Sequence, residues 1–150
     1  GKALEFASEA LRADHEVVLA AIQQDACALE FAAPDLWHDR AFVRAAVRQN
    51  GLLLISAAEE FRGDEEVVLA AALQNRAAVR FATAELKRDR RFILRVLSED
   101  GLLLRFAQGG LQSDRQVVLA AVGQNPSALD FATRELQRDP EILHAAGRSA

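Results

Sequence analysis

Aspartate recurs at one fixed interval along this chain, at Asp14, Asp39, Asp64, Asp89, Asp114 and Asp139, with no gap anywhere. A constant period of that length calls for an array of like units, each packing on its neighbours, rather than one globular core. Apolar positions keep the same register: Leu4, Leu29, Leu54, Val79, Leu104 and Leu129; Ala7, Ala32, Ala57, Ala82, Ala107 and Ala132; Leu11, Leu36, Phe61, Leu86, Leu111 and Leu136. A further ladder, Val18, Val43, Val68, Ile93, Val118 and Leu143, is followed at i+3 by Ala21, Ala46, Ala71, Val96, Ala121 and Ala146. Spacing of i, i+3 places both sets on one face of a helix.

Each aspartate stands just before that apolar stretch, where its carboxylate can accept from the free amides of a first helical turn and its charge suits the positive end of the helix dipole. The first helix of a unit, Asp14 to Gln24 in the first copy, stops near Asp25, Asn50, Asn75, Asp100 and Asn125, with Gly51 and Gly101 following in two copies. Asn and Gly are helix-ending residues. A second helix, Cys27 to Trp37, presents Leu29, Ala32 and Leu36 on one face. Ala, Leu, Arg, Glu and Gln, the better helix formers, dominate the composition. The expectation is an all-α fold, an α-solenoid of six 25-residue helix-turn-helix units over residues 1–150, incomplete at both ends and part of a longer parent chain. Helices of about ten residues are about 15 Å long and marginal alone. They must stack, and at axis spacings of about 8–10 Å six units would make a curved rod on the order of 50–60 Å long.

A longer period is superimposed. The first, third and fifth aspartates are followed by Glu16-Val17-Val18-Leu19-Ala20-Ala21, Glu66 to Ala71 and Gln116 to Ala121; the second and fourth by Phe42-Val43 and Phe92-Ile93. The even units also share Gly51-Leu52-Leu53-Leu54 and Gly101-Leu102-Leu103-Leu104, so the larger, 50-residue unit has two unlike halves. The wording Asp-x-Glu-Val-Val-Leu-Ala-Ala-x-x-Gln-Asn, then Ala-Leu-x-Phe-Ala-x-x-x-Leu-x-x-Asp, read over Asp14 to Asn50, Asp64 to Asp100 and Asp114 onward, resembles a tandem helical-repeat family of unknown function. That family has a repeat of the same length as this larger unit and occurs in bacteria and unicellular eukaryotes, dinoflagellates included. The resemblance covers essentially the whole chain, with departures at Ser56 and Arg95. It implies tandem helices and carries no assigned chemistry.

The residue inventory speaks against catalysis. His15, His38 and His144 occupy different places in the repeat and form no metal pair; the lone Cys27 has no recurring base beside it; Ser8, Ser56, Ser98, Ser113, Ser127 and Ser149 lie in no nucleophile-elbow sequence. Gly109-Gly110 lies within a second helix and lacks the Lys and Ser/Thr of a phosphate-binding loop. The chain is read as no enzyme, with no cofactor and no metal. A net charge of −4 argues against wholesale binding to phosphate backbones. Apolar runs such as Val17 to Ile22 and Leu52 to Ile55 fall far below the roughly 20 residues of a membrane span, leaving peripheral membrane contact at most. A single Cys and no Met suit a processed chain in a soluble intracellular or organellar setting rather than a secreted one.

Candidate contacts are the places where one copy departs from its siblings. Trp37 stands opposite Arg12, Arg62, Lys87, Gln112 and Gln137, so it is either a partner contact or a side chain folded over its own neighbours. Ile55 stands opposite Glu5, Arg80, Arg105 and Asp130, as a contact or in place of the Phe missing at Ser56. Leu52 and Leu102 either line a groove or fill a wider gap between helices, with filling the default. Arg40, Arg44 and Arg48, and Arg88, Arg90, Arg91 and Arg95, form two basic runs in the even units: a solvated face first, a patch for an acidic partner second. These features favour a non-enzymatic protein-protein interaction or scaffolding module, as a structural subunit of a large organellar or photosynthetic assembly. The alternatives are a nucleic-acid or anion binder using Arg44, Arg48, Arg91 and Arg95, and the repeat region of an enzyme whose catalytic domain lies elsewhere.

Overall fold

The computed structural model describes residues 2–148, and every regular element among them is helical. Ser149, named above, lies outside the described residues. The chain forms two compact units, Gly1–Arg62 with Glu66–Ala78 and Gly63–Glu65 with Val79–Ala150. An all-α repeat is what the 25-residue pattern called for.

Five ten-residue α-helices set the frame: α1 His15–Gln24, α2 Arg40–Gln49, α3 Glu65–Gln74, α4 Arg90–Glu99 and α5 Arg115–Gln124, with a shorter α6, Pro140–Ala145. The recurring aspartates start them. Asp14, Asp39, Asp89, Asp114 and Asp139 each accept from an amide of the first turn; Val17 donates to Asp14 at 3.0 Å and Phe42 to Asp39 at 2.9 Å. The residue that ends each helix has a second role. Asp25, Asn50, Asp100 and Asn125 are extended, with φ between −155° and −146°. Each closes the helix behind with its own amide, then caps the segment ahead with its side-chain oxygen.

That next segment differs from expectation. In place of a second ten-residue helix from Cys27 to Trp37, each repeat carries a 3-10 helix, for example Ala26–Phe31, Gly51–Ser56 and Gly101–Phe106, and then a short helical piece such as Pro34–His38, Glu59–Arg62 or Ala84–Arg88. The break falls at an extended alanine, Ala32, Ala57, Ala107 or Ala132. Its physical reason is a bond between repeats: the following amide leaves the helix and donates to a carbonyl of the preceding repeat, Ala33 to Arg12 at 2.9 Å, Ala58 to Trp37 at 3.0 Å, Gln108 to Lys87 at 2.9 Å and Thr133 to Gln112 at 3.1 Å. A continuous α-helix would use that amide internally. Gly109 and Gly110, expected inside a helix, instead make the turn there with φ of 63° and 83°, a region that favours glycine.

The core follows the apolar ladders. In the first unit Val18, Phe42, Val43, Ala46, Val47, Leu54 and Ala71 are fully buried; in the second Ile93, Val96, Leu97, Leu104, Val117, Val118 and Ala121 are. Side chains of this size each contribute roughly 1.5–3 kcal/mol when taken from water, less for alanine. The even-unit glycines set how closely repeats approach. A Cβ on Gly51 would lie 2.2 Å from the Ala71 carbonyl oxygen, and one on Gly101 2.2 Å from that of Ala121. In the same places the Gly51 amide donates to Gln74 Oε1 and the Gly101 amide to Gln124 Oε1, each at 2.6 Å. Charged pairs line the other end of the helices: Arg90 reaches Asp114 at 2.9 Å and Gln116 at 2.7 Å, and Arg115 reaches Asp139 and Glu141.

Replacing Gly101 with alanine is therefore expected to cost about 1–3 kcal/mol, because backbone rather than a flexible side chain must yield. Gly123→Ala, where nothing lies within 4 Å, should be neutral or stabilising. Denaturant titration of both variants decides this, and equal midpoints would refute the close-approach account. The ion pairs predict an acid limb. The hydrogen bond from Arg90 foremost, and the Val117 amide, hold the Asp114 carboxyl below its usual 3.8; at Asp139 the Ile142 amide leads, with Arg115 adding to it. A carboxylate with a depressed folded pKa contributes stability that is complete above its ordinary value and is lost as pH falls through the folded one. Melting temperature should thus drop below about pH 4, and Asp114→Asn should lose less over that window than the wild-type chain does.

Candidate functional site

Three helix ends of the first unit meet at a polar groove of about 510 Å³. It is lined by Ile22, Gln23, Gln24 and Asp25 at the end of α1, Gln49 and Asn50 at the end of α2, and Gln74 and Asn75 at the end of α3. The same pair of repeat positions, a glutamine and then Asn or Asp, is thus presented three times. Capping fixes the second member of each pair: Asp25 Oδ1 accepts from the Cys27 amide at 3.0 Å, Asn50 Oδ1 from Leu52 at 3.1 Å and Asn75 Oδ1 from Ala77 at 3.0 Å. Gln74 is held by the Gly51 amide. Four of the lining side chains, Asp25, Asn50, Gln74 and Asn75, are therefore set by the backbone.

The electrostatics of the groove follow from helix polarity. The last-turn carbonyls of an α-helix have no intrahelical partner and carry the negative end of its dipole. Three such ends converge here, joined by the Asp25 carboxylate, and among the described residues no Lys, Arg or His lines the groove. Neither α1 nor α3 has a basic residue in its last turn; α2 has Arg48, which is exposed and outside the lining.

None of the candidate contact residues named from the sequence lines this groove. Trp37 is 8% exposed and meets the Phe42 ring edge-on at 5.2 Å between centroids, so it is a packed side chain and not a surface anchor. Of its two readings, the burial favours the side chain folded over its neighbours, and the siblings show the physical reason. They are polar because they donate to carbonyls of the preceding 3-10 segment: Arg12 to Glu5, Lys87 to Arg80 at 3.2 Å, Gln112 to Leu104 at 3.1 Å and Gln137 to Leu129 at 3.2 Å. A position that needs a donor to backbone is half-buried, and a tryptophan there turns inward.

Ile55 is 58% exposed, so it does not fill the space of the Phe missing at Ser56. Leu52 and Leu102 are half-buried beside the buried Leu53, Leu54, Leu103 and Leu104. The basic runs are partly neutralised: Arg95 pairs with Glu65 at 2.9 Å, Arg40 with Glu66 at 3.3 Å and Arg90 with Asp114. Arg44 is half-buried, while Arg48 and Arg91 are exposed. A further departure is absent from the candidates drawn from sequence. Leu73 is 70% exposed where the other copies have Gln23, Arg48, Ser98 and Gly123, and it immediately precedes Gln74 of the groove. Comparison with its siblings is the signal that finds it. The groove itself is hidden in the sequence because its Gln-Asn pairs look like helix stops alone.

A sequence profile described as "Domain of unknown function (DUF4116)" matches residues 1–37, 39–87 and 89–137, three consecutive copies that cover most of the chain. The chain belongs to the DUF4116 family. No curated protein and no solved structure matches it. The second and third DUF4116 copies start on Asp39 and Asp89, so each pairs an even unit with the odd unit after it. The Gly51–Gln74 and Gly101–Gln124 bonds then both fall inside one copy. Among the described residues no helix is long and apolar enough to cross a membrane.

Trp37→Ala is expected to destabilise the chain by about 3–5 kcal/mol, as buried aromatic truncations do. A denaturation midpoint within about 1 kcal/mol of wild type would return Trp37 to the surface.

Proposed function

We propose that this DUF4116 chain is a non-enzymatic protein-binding module, a scaffolding component of a larger assembly, and that the groove at the ends of α1, α2 and α3 receives a segment of its partner. The observation that supports this reading is the groove itself: three successive repeats bring the same side-chain pair to one polar cleft, the Asp or Asn of each pair held by a backbone amide. Repeat arrays bind through surfaces of this composite kind, where no single unit makes the site. Preorganised polar groups also lose little freedom on binding. The Arg-rich face has less in its favour as an anion site, since of the four arginines named for it Arg95 already pairs with Glu65 and Arg44 is half-buried. Arg40 and Arg90 of the same runs also have acidic partners.

The test is capture of a partner from native extract by the intact chain and by Gln49→Lys, after circular dichroism shows equal helicity. Gln49 is exposed, so the lysine changes the groove and leaves the core alone. A specific protein retained by the wild type and lost with Gln49→Lys supports the module. Retention by neither overturns it, and equal retention by both moves the contact off the groove.

A further inference from the structure

We infer that the groove selects a cationic ligand: an extended, arginine- or lysine-bearing segment of the partner protein, with its guanidinium or ammonium groups against Asp25 and the last-turn carbonyls of α1, α2 and α3. The inference rests on the protein-binding reading above and names the chemistry of its ligand. Its basis is a concentration of acceptors with no cation among the described lining residues. Each α-helix of this frame closes its final turn with one amide of the capping residue, Asp25 to the Ala21 carbonyl, Asn50 to Ala46 and Asn75 to Ala71. The carbonyls that follow, such as those of Ile22 and Gln23 in α1, lie beyond the hydrogen-bond ladder of the helix itself. Asp25 lines the groove and adds a carboxylate, whose Oδ1 accepts from the Cys27 amide. The side-chain carbonyl oxygens of Gln23 and Gln49 are further acceptors on the same lining.

The opposite ends of the helices show how this fold treats charge when a partner is at hand. There the negative cap of one repeat is met by a guanidinium from the repeat before it, as Arg90 meets Asp114 and Arg115 meets Asp139. Among the described residues no basic side chain lies in the lining of the groove, so a cation from another molecule would complement it. Arginine suits the site better than a simple ion, because a planar fork of five donors can reach a carboxylate and nearby carbonyls together. Three helices at about 8–10 Å spacing span about 20 Å, the length of about six extended residues. The occupant is therefore a peptide segment with more than one basic side chain rather than a single amino acid.

The probe is fluorescein-labelled hexa-arginine amide, titrated by fluorescence anisotropy against the full chain and three variants. Asp25→Asn removes the charge and keeps the cap, since Asn50, Asn75 and Asn125 stand at the same repeat position. It should weaken binding roughly tenfold, the usual worth of a charge-assisted bond. Gln49→Lys places a cation in the groove and should abolish binding. Glu59→Gln removes one exposed charge of the same unit outside the groove and should leave affinity within about twofold, as a screened surface charge does. Equal losses for Asp25→Asn and Glu59→Gln would mean diffuse attraction to an acidic protein and would overturn the inference, as would binding that survives Gln49→Lys or no binding at all. Should Gln49→Lys abolish partner capture while hexa-arginine does not bind, the binding module stands and its cationic ligand falls.

Discussion

A ten-residue helix does not hold itself in water, so everything in this fold depends on the junction between one repeat and the next. Three backbone-directed contacts build these junctions, the last two of them where an even unit meets the odd unit after it. The amide after the extended alanine reaches a carbonyl of the preceding repeat, the Gln74 and Gln124 side chains take the amides of Gly51 and Gly101, and the glycines themselves let a carbonyl come within the distance a Cβ would occupy. Apolar burial supplies most of the energy, as it does in any fold. The directional bonds fix the register in which that burial occurs, which matters where each unit offers only a few large side chains such as Phe42, Leu54, Phe92 and Leu104.

The 25-residue register and the all-α class are legible in the sequence because period, cap and apolar ladder all point the same way. Val18, Val43, Val68, Ile93 and Val118 are fully buried, as i, i+3 spacing requires. The second half of each unit is not legible, because Leu29, Ala32 and Leu36 satisfy helical spacing whether or not the chain breaks between them. The break is decided by a hydrogen bond to the preceding repeat, which no local pattern displays. Asn50 and its counterparts are recognisable as helix ends, but their second role as caps of the 3-10 segment depends on an extended φ that composition does not announce.

The site is less legible than the fold, and Trp37 shows why. Comparing a residue with its siblings identifies departures correctly. It does not reveal why the siblings are polar. Arg12, Lys87, Gln112 and Gln137 are polar in order to reach backbone carbonyls, so their position is half-buried and its departure is a packing event. Leu73 is the converse: its siblings Gln23, Arg48, Ser98 and Gly123 share no hydrogen-bonding role, and the leucine there stays exposed. A departure points outward only where the sibling side chains have no structural task.

The repeat also imposes an electrical polarity on each unit. α1, α2, α4 and α5 each run from an aspartate cap to an Asn or Asp end, so the positive pole lies beside a carboxylate and the negative pole beside a side chain that cannot supply a positive charge. Arginines placed directly after the caps, at Arg40, Arg90 and Arg115, then gather at the capped end, held by acidic groups of the next repeat. Much of the basic charge that the sequence displays as runs is thereby committed to holding repeats together. In the first unit the helix C-termini are left with glutamines, asparagines and Asp25 around a groove. A surface with acceptors and no cation follows from the spacing of one aspartate and one arginine within a 25-residue unit.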